Sequence, residues 1–157
     1  MTAADDLAGA VRDLQDEAAI RAVLHRYATA LDSRDWELLR TCFADDVVGV
    51  YDSIGVQRGY AALEALCRQA LEPLAATQHL VGNVEVHLDG DEATGRCYLQ
   101  ATHARSLPDG DDNFVVAGTY FDRLERRSGE WRIVQRELRR TWTAGPLHMI
   151  RAGEPES

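Results

Sequence analysis

A concentrated cationic face is missing from this 157-residue sequence: 17 Lys and Arg stand against 26 Asp and Glu, for a formal net charge of -9. A polyanion requires the opposite balance, which argues against nucleic acid and an anionic membrane surface as partners. Long apolar runs are missing as well. No stretch approaches the roughly 20 residues of a membrane-spanning helix, and Met1 to Ala10 has neither the basic start nor the apolar centre of a secretory signal. The expectation is therefore a cytoplasmic protein with no membrane partner. Cysteine is sparse, and Cys42, Cys67 and Cys97 are odd in number, widely spaced and set in apolar patterns. That arrangement fits inert core thiols, not a disulfide frame or a zinc site. Repeats, low-complexity tracts and linkers are also lacking, so the chain reads as one domain over 1–157, with its core at about 13–142 and short frayed ends at Met1–Leu7 and Arg151–Ser157.

What is present is a change of period partway along. Ile20, Val23, Leu24, Tyr27 and Leu31 recur at helical spacing, which predicts an amphipathic helix from Asp16 to Leu31 with acidic residues crowding its start. Asp35 is placed to cap a second short helix with Trp36, Leu38, Leu39 and Phe43 as its apolar positions. A strand follows from Val47 to Tyr51, Gly55 to Gly59 reads as a turn, and Tyr60 to Leu71 as a third helix stopped near Pro73. From Gln78 onward the period becomes two. Asp89-Gly90, Asp109-Gly110 and Ser128-Gly129 each lie between runs rich in Val, Ile, Tyr, Trp and Thr, which predicts four strands joined by three hairpins. Helices followed by such a meander define an α+β fold in which a curved sheet wraps three N-terminal helices and encloses a cavity.

One carboxylate and two imidazoles stand out as chemistry-bearing groups. Asp32 ends the first helix, His79 follows 47 residues later at the start of a strand, and His103 lies 24 residues beyond that. A carboxylate bonded to one nitrogen of an imidazole fixes its tautomer and raises its basicity, leaving the other nitrogen to remove a proton near neutral pH. His103 shares strand parity with Cys97, Leu99 and Ala101, a face of small residues that leaves room for a ligand. His25 on a helix, His87 beside a turn and His148 in the tail are weaker candidates. The set Asp32, His79 and His103 also has the donor types of a two-histidine, one-carboxylate iron site, but it lacks local ligand spacing, and no metal or cofactor is assigned. Arg132, Arg136 and Arg140 share parity on the last strand. Solvated charge at a sheet edge is their simpler reading, and Arg140 the candidate for receiving an anionic substrate group. Trp36, Phe114, Tyr120 and Trp142 are candidates for an apolar cavity lining.

Tyr27-x4-Asp32, Asp35-Trp36, Phe43-x-Asp45-Asp46, Gly59 before the third helix, His79 at a strand start, Gly118-x-Tyr120 and Gly129-x-Trp131-x-Ile133 together resemble the SnoaL-like branch of the nuclear transport factor 2-like superfamily. The resemblance spans roughly Asp13 to Trp142. It implies a cone-shaped α+β barrel with a curved mixed, mostly antiparallel sheet. Within the branch the chain is similar to scytalone dehydratase, bile acid 7α-dehydratase and hexachlorocyclohexane dehydrochlorinase, whose shared Asp and His fall on Asp32 and His79. Tyr27 falls on a tyrosine of the bile acid enzyme, and His103 on a second histidine of scytalone dehydratase. Five helical residues turn through about 140°, so Tyr27 and Asp32 reach one pocket only if the helix loosens near Leu31, where Ser33 and Asp35 compete for backbone hydrogen bonds.

The expected activity is a cofactor-independent, dehydratase-type lyase acting on a small, largely apolar cyclic or polycyclic molecule. His79 is the expected base, Asp32 its orienting group, and Tyr27 or His103 the helper acid. The same groups serve an isomerase or a polyketide-type cyclase. A different class is a non-catalytic binding or assembly subunit, such as the small subunit of a ring-hydroxylating oxygenase. The resemblance implies a homodimer or homotrimer.

Overall fold

The computed structural model describes residues 3–52, 54–107 and 110–146. Its elements are α1 (Ala3–Ser33), α2 (Trp36–Arg40), β1 (Phe43–Tyr51), β2 (Gly55–Arg58), α3 (Tyr60–Leu71), β3 (Ala76–Asp89), β4 (Glu92–Leu107), β5 (Gly110–Arg127) and β6 (Glu130–Ala144). Three helices pack on a six-stranded sheet of order β2-β1-β6-β5-β4-β3. The sheet is antiparallel except where β1 runs parallel to β6. It is curved and unclosed, in agreement with the expected cone-shaped α+β fold.

The apolar stripe of α1 supplies the floor of the core, with Ile20, Val23, Leu24, Tyr27 and Leu31 all buried against the sheet. The helix begins well before the expected Asp16, because its first turns need only helix-compatible residues and an acidic first turn at Asp5 and Asp6. Ala3 to Leu7 are therefore helical, whereas Arg151–Ser157 and His148 lie outside the described residues. Asp16 anchors the helix to the sheet by accepting hydrogen bonds from Trp131 Nε1 at 3.1 Å and Arg126 Nη2 at 2.6 Å.

Two local readings change. Phe43 belongs to β1, not to the second helix, and Gly55–Arg58 forms a short strand paired with β1 where a turn was expected. Phe43 is drawn into the sheet by its pairing with the distant Ile133, which a local pattern does not carry, and Gly55–Arg58 folds back on β1 as a short hairpin, Tyr51 facing Gly55. The meander β3 to β6 forms as expected, with Ser128 and Gly129 both at positive φ in the tight turn between β5 and β6. Asp109 lies outside the described residues, and β5 begins at Gly110.

A further correction concerns the last strand. Because β1 pairs alongside it, β6 is an interior strand, and Arg136 is completely buried instead of solvated at an edge. A bulge then re-aims the end of β6. Gly118 pairs with Arg140 but Ala117 pairs with Trp142, so the extra residue Thr141 moves Trp142 to the opposite face from Arg140. Gly118 is required at this bulge, since a Cβ there would stand 2.5 Å from the Arg139 carbonyl oxygen.

Candidate active site

The C-terminal end of α1 and the first residues of β3 build the site together. The helix stops in a Schellman-type turn: the Asp35 amide bonds the Ala30 carbonyl at 2.9 Å, and Arg34 takes the left-handed conformation with φ 58°. β3 crosses this end so that Asp32 meets it twice. Asp32 Oδ2 accepts the His79 backbone N–H at 2.9 Å, and Oδ1 lies 2.6 Å from His79 Nδ1. Thr77 Oγ1 adds a third hydrogen bond, to Oδ1 at 3.1 Å. Burial pushes the Asp32 carboxyl up, but the bonds from the His79 ring and backbone and from Thr77 outweigh it and hold the group below the usual carboxylate range. An ionised carboxylate only accepts, so Nδ1 of His79 carries a hydrogen, and in the neutral ring Nε2 presents a lone pair.

His79 forms part of the wall of a cavity of about 190 Å³. Tyr27, Tyr51 and Tyr120 contribute phenols to it, Leu99, Ala101, Phe114 and Val116 an apolar surface, and Arg140 a cation. Cross-strand register explains the grouping: Thr77 pairs with His103 and His79 with Ala101, while His103 in turn pairs with Phe114, so all share the inner face of the sheet. His79 and His103 meet edge to face with ring centroids 5.9 Å apart. His103 Nδ1 lies 3.3 Å from the Phe114 carbonyl oxygen, an acceptor, so the hydrogen sits on Nδ1 and Nε2 is again the free acceptor. Burial, followed by the neighbouring His79, pushes the His103 imidazole down to about 4.

The sequence candidates are distributed unevenly. Asp32, His79, Tyr27, His103, Phe114, Tyr120 and Arg140 gather at or beside the cavity. Helix α1 stays regular through Ser33, contrary to the expected loosening. No loosening is needed, because Asp32 approaches His79 from behind and does not line the cavity, whereas Tyr27 does. Trp36 and Trp142 are not part of the lining. Trp36 sits on the short α2 with the Arg68 guanidinium over its ring at 4.7 Å, and Trp142 is turned outward by the bulge and is 48% exposed. All three cysteines are free and buried; Cys67 reaches the cavity wall, and burial pushes its thiol up to about 12.

Three functional-site features escaped the sequence reading. Tyr51 lines the cavity, and its hydroxyl is buried without a hydrogen-bond partner among the described residues. Beneath the cavity, Arg136 makes two 2.7 Å bonds to Asp122, and its guanidinium stands 4.1 Å from the ring centroids of both Tyr27 and Tyr120. Tyr27 and Tyr120 share a hydrogen bond of 3.1 Å between their hydroxyls. Burial pushes all three phenols well above their usual range, so they stay protonated and able to donate. The third feature is Thr77 itself. The parity of Arg136 with Arg140 and of Thr77 with His79 was visible in the chain, but which face was inner was not.

A largely apolar cavity between helices and a curved sheet, with an imidazole backed by a carboxylate in its wall, has the form in which proteins bind small molecules. A SnoaL-like domain model matches residues 12–137, and the chain belongs to that family. An uncharacterised protein of Mycobacterium tuberculosis is 28% identical over 131 residues, covering 80% of this chain and 86% of its own. A candidate scytalone dehydratase from Novosphingobium aromaticivorans has a similar structure, with TM-score 0.76 and 26% identity over 84% of this chain and 88% of its own. A type 2 hexachlorocyclohexane dehydrochlorinase shares the fold at TM-score 0.77 and 21% identity, over 87% of this chain and 92% of its own. Among the described residues no helix is long and apolar enough to cross a membrane.

Proposed function

We propose that the protein is a cofactor-independent lyase that eliminates water, or an equivalent leaving group, from a small and largely apolar cyclic molecule carrying a carbonyl group. The observation that carries this reading is the Asp32–His79 pair at 2.6 Å, which leaves Nε2 of His79 as an oriented base in the cavity wall. Similarity to a candidate dehydratase and to a dehydrochlorinase supports elimination as the reaction class.

In this mechanism His79 Nε2 removes a proton from the carbon beside the carbonyl, and Asp32 stabilises the imidazolium that forms. The electron pair left on carbon moves through the enolate to make the carbon–carbon double bond as the β carbon–oxygen bond breaks. The departing hydroxide takes the proton from the His79 imidazolium and leaves as water, which regenerates the base. Tyr51 donates its unpartnered hydroxyl to the carbonyl oxygen, where negative charge builds up. Tyr27 and Tyr120 occupy each other's hydroxyls and line the same cavity. His103 serves as an acceptor for the leaving hydroxyl, because a group pushed down to about 4 is unprotonated at neutral pH. Arg140, whose Nε stands 3.8 Å from Asp52 Oδ2, is the cation in the cavity wall that an anionic group of the substrate would meet.

The test is a screen of cyclic β-hydroxy ketones and halogenated rings, with wild type, Asp32→Ala and His79→Ala proteins and product analysis by mass. Loss of water or halide by the wild type alone supports a lyase. A mass-neutral product that depends on the same two residues assigns an isomerase or cyclase instead, and tight binding without conversion assigns a binding module.

A further inference from the structure

Arg34 is an anomaly in the backbone. A residue with a Cβ at φ 58° ends α1 where glycine is favoured, at a cost of roughly 1 kcal/mol. Its guanidinium is nevertheless committed at four points. Nη1 reaches the Leu31 and Asp32 carbonyls at 3.1 Å each and Thr77 Oγ1 at 2.9 Å, and Nη2 reaches the Leu71 carbonyl at 3.0 Å. One of those bonds determines the chemistry of the next residue in line. With its oxygen accepting from Arg34, the Thr77 hydroxyl directs its single hydrogen to Asp32 Oδ1, 3.1 Å away.

Oδ1 is also the oxygen that receives the His79 ring proton. Thr77 and His79 thus compete for electron density on one atom. The carboxylate does not depend on Thr77 for its place, because Oδ2 is fixed separately by the His79 backbone N–H at 2.9 Å. We propose that Thr77, polarised by Arg34, is a positioning residue that sets how strongly Asp32 holds the ring proton of His79.

The consequence is a base kept available. A carboxylate with no second donor on Oδ1 grips the imidazole harder and favours the imidazolium, which cannot abstract a proton. A donor hydroxyl backed by a guanidinium draws off part of that charge, and the low dielectric of the site strengthens the chain of bonds. The charged and titratable groups that face the pair are Arg34 from the end of α1 and His103 from β4. Across the cavity stand Tyr27, Tyr51, Asp52, Cys67, Tyr120 and Arg140. The Thr77 substitutions below leave all of them in place.

This inference rests on the proposed role of the Asp32–His79 pair, and an experiment on the full chain without substrate separates the two. The ring carbon–hydrogen signals of His79 are followed against pH by nuclear magnetic resonance, and assigned by their loss in His79→Asn. Asp32→Asn tests the pair, and its removal of the carboxylate lowers the titration midpoint of His79. Thr77→Val removes only the hydroxyl at nearly constant volume, and raises the midpoint by about half to one pH unit. Thr77→Ser restores the wild-type midpoint. Arg34→Gly, suited to the backbone at that position, moves it in the same direction as Thr77→Val. An unmoved midpoint in Asp32→Asn overturns the pair. A lowered Asp32→Asn midpoint with an unmoved or lowered Thr77→Val midpoint overturns the role of Thr77 alone.

Discussion

Asp32 holds His79 by both of its oxygens, one on the backbone N–H at 2.9 Å and the other on ring Nδ1 at 2.6 Å. The first bond fixes where β3 lies on the end of α1, and the second fixes the tautomer and direction of the imidazole. Fold and chemistry are joined at this point, because the strand cannot shift register without releasing the base.

Loss of either partner is expected to abolish turnover while sparing the fold. In Asp32→Ala and His79→Ala the rate constant on a converted substrate falls by roughly three orders of magnitude or more, since orientation and proton transfer are lost together. Circular dichroism of both variants should match the wild type. A rate within tenfold of normal in His79→Ala contradicts general-base catalysis by this residue.

Tyr51→Phe separates catalysis from stability. Its hydroxyl has no partner among the described residues, so deleting it leaves stability unchanged or slightly raised. Turnover is expected to fall about 10- to 1000-fold if the hydroxyl holds the developing oxyanion. Urea titration and steady-state kinetics on the same preparation check both halves, and a variant with full activity removes Tyr51 from the mechanism.

The buried ion pair beneath the cavity behaves differently. Arg136 and Asp122 have side chains with no exposure, and removing one partner strands an uncompensated charge. Asp122→Ala should lose about 3–5 kcal/mol of stability, measured by urea unfolding, whereas Arg136→Met with Asp122→Leu recovers most of the loss. A single variant within 1 kcal/mol of wild type contradicts full burial of the pair.

Acid should weaken the fold through His103. Its imidazole is pushed from the ordinary 6.5 to about 4, so between these values the unfolded chain binds a proton that the folded chain refuses. Stability is complete above about 6.5 and declines as pH falls toward 4, the sign expected where the unfolded state holds more protons. Asp32, held below the usual carboxylate range, adds a further loss at still lower pH. Thermal midpoints of wild type and His103→Leu between pH 7 and pH 4 should diverge, with the shallower acid decline in the variant. Parallel curves exclude the buried neutral imidazole.

Much of this was legible in the chain because the relevant signals are local. Period-two runs punctuated by Asp89-Gly90 and Ser128-Gly129 marked the meander, and the helical spacing from Ile20 to Leu31 marked the buried face of α1. Asp32, His79 and His103 were found because their residue types suit proton transfer, and His103 also because it shares strand parity with the small-residue face of Cys97, Leu99 and Ala101. What escaped depended on pairings between distant segments. The parallel contact of β1 with β6 turns Arg136 from an edge charge into a buried one, and the bulge at Thr141 rotates Trp142 away from the cavity. Tyr51 looked like an ordinary strand aromatic, and Thr77 like any strand threonine, until the register placed them beside the cavity and the carboxylate.

The most direct test of the central claim is the nitrogen spectrum of the histidine rings in the free protein above neutral pH. Asp32 bound to Nδ1 predicts that His79 is a neutral imidazole with its proton on Nδ1 and a bare Nε2, and that Asp32→Asn loses this preference. A His79 ring protonated on Nε2, or indifferent to Asp32→Asn, contradicts a carboxylate-oriented base in the cavity wall.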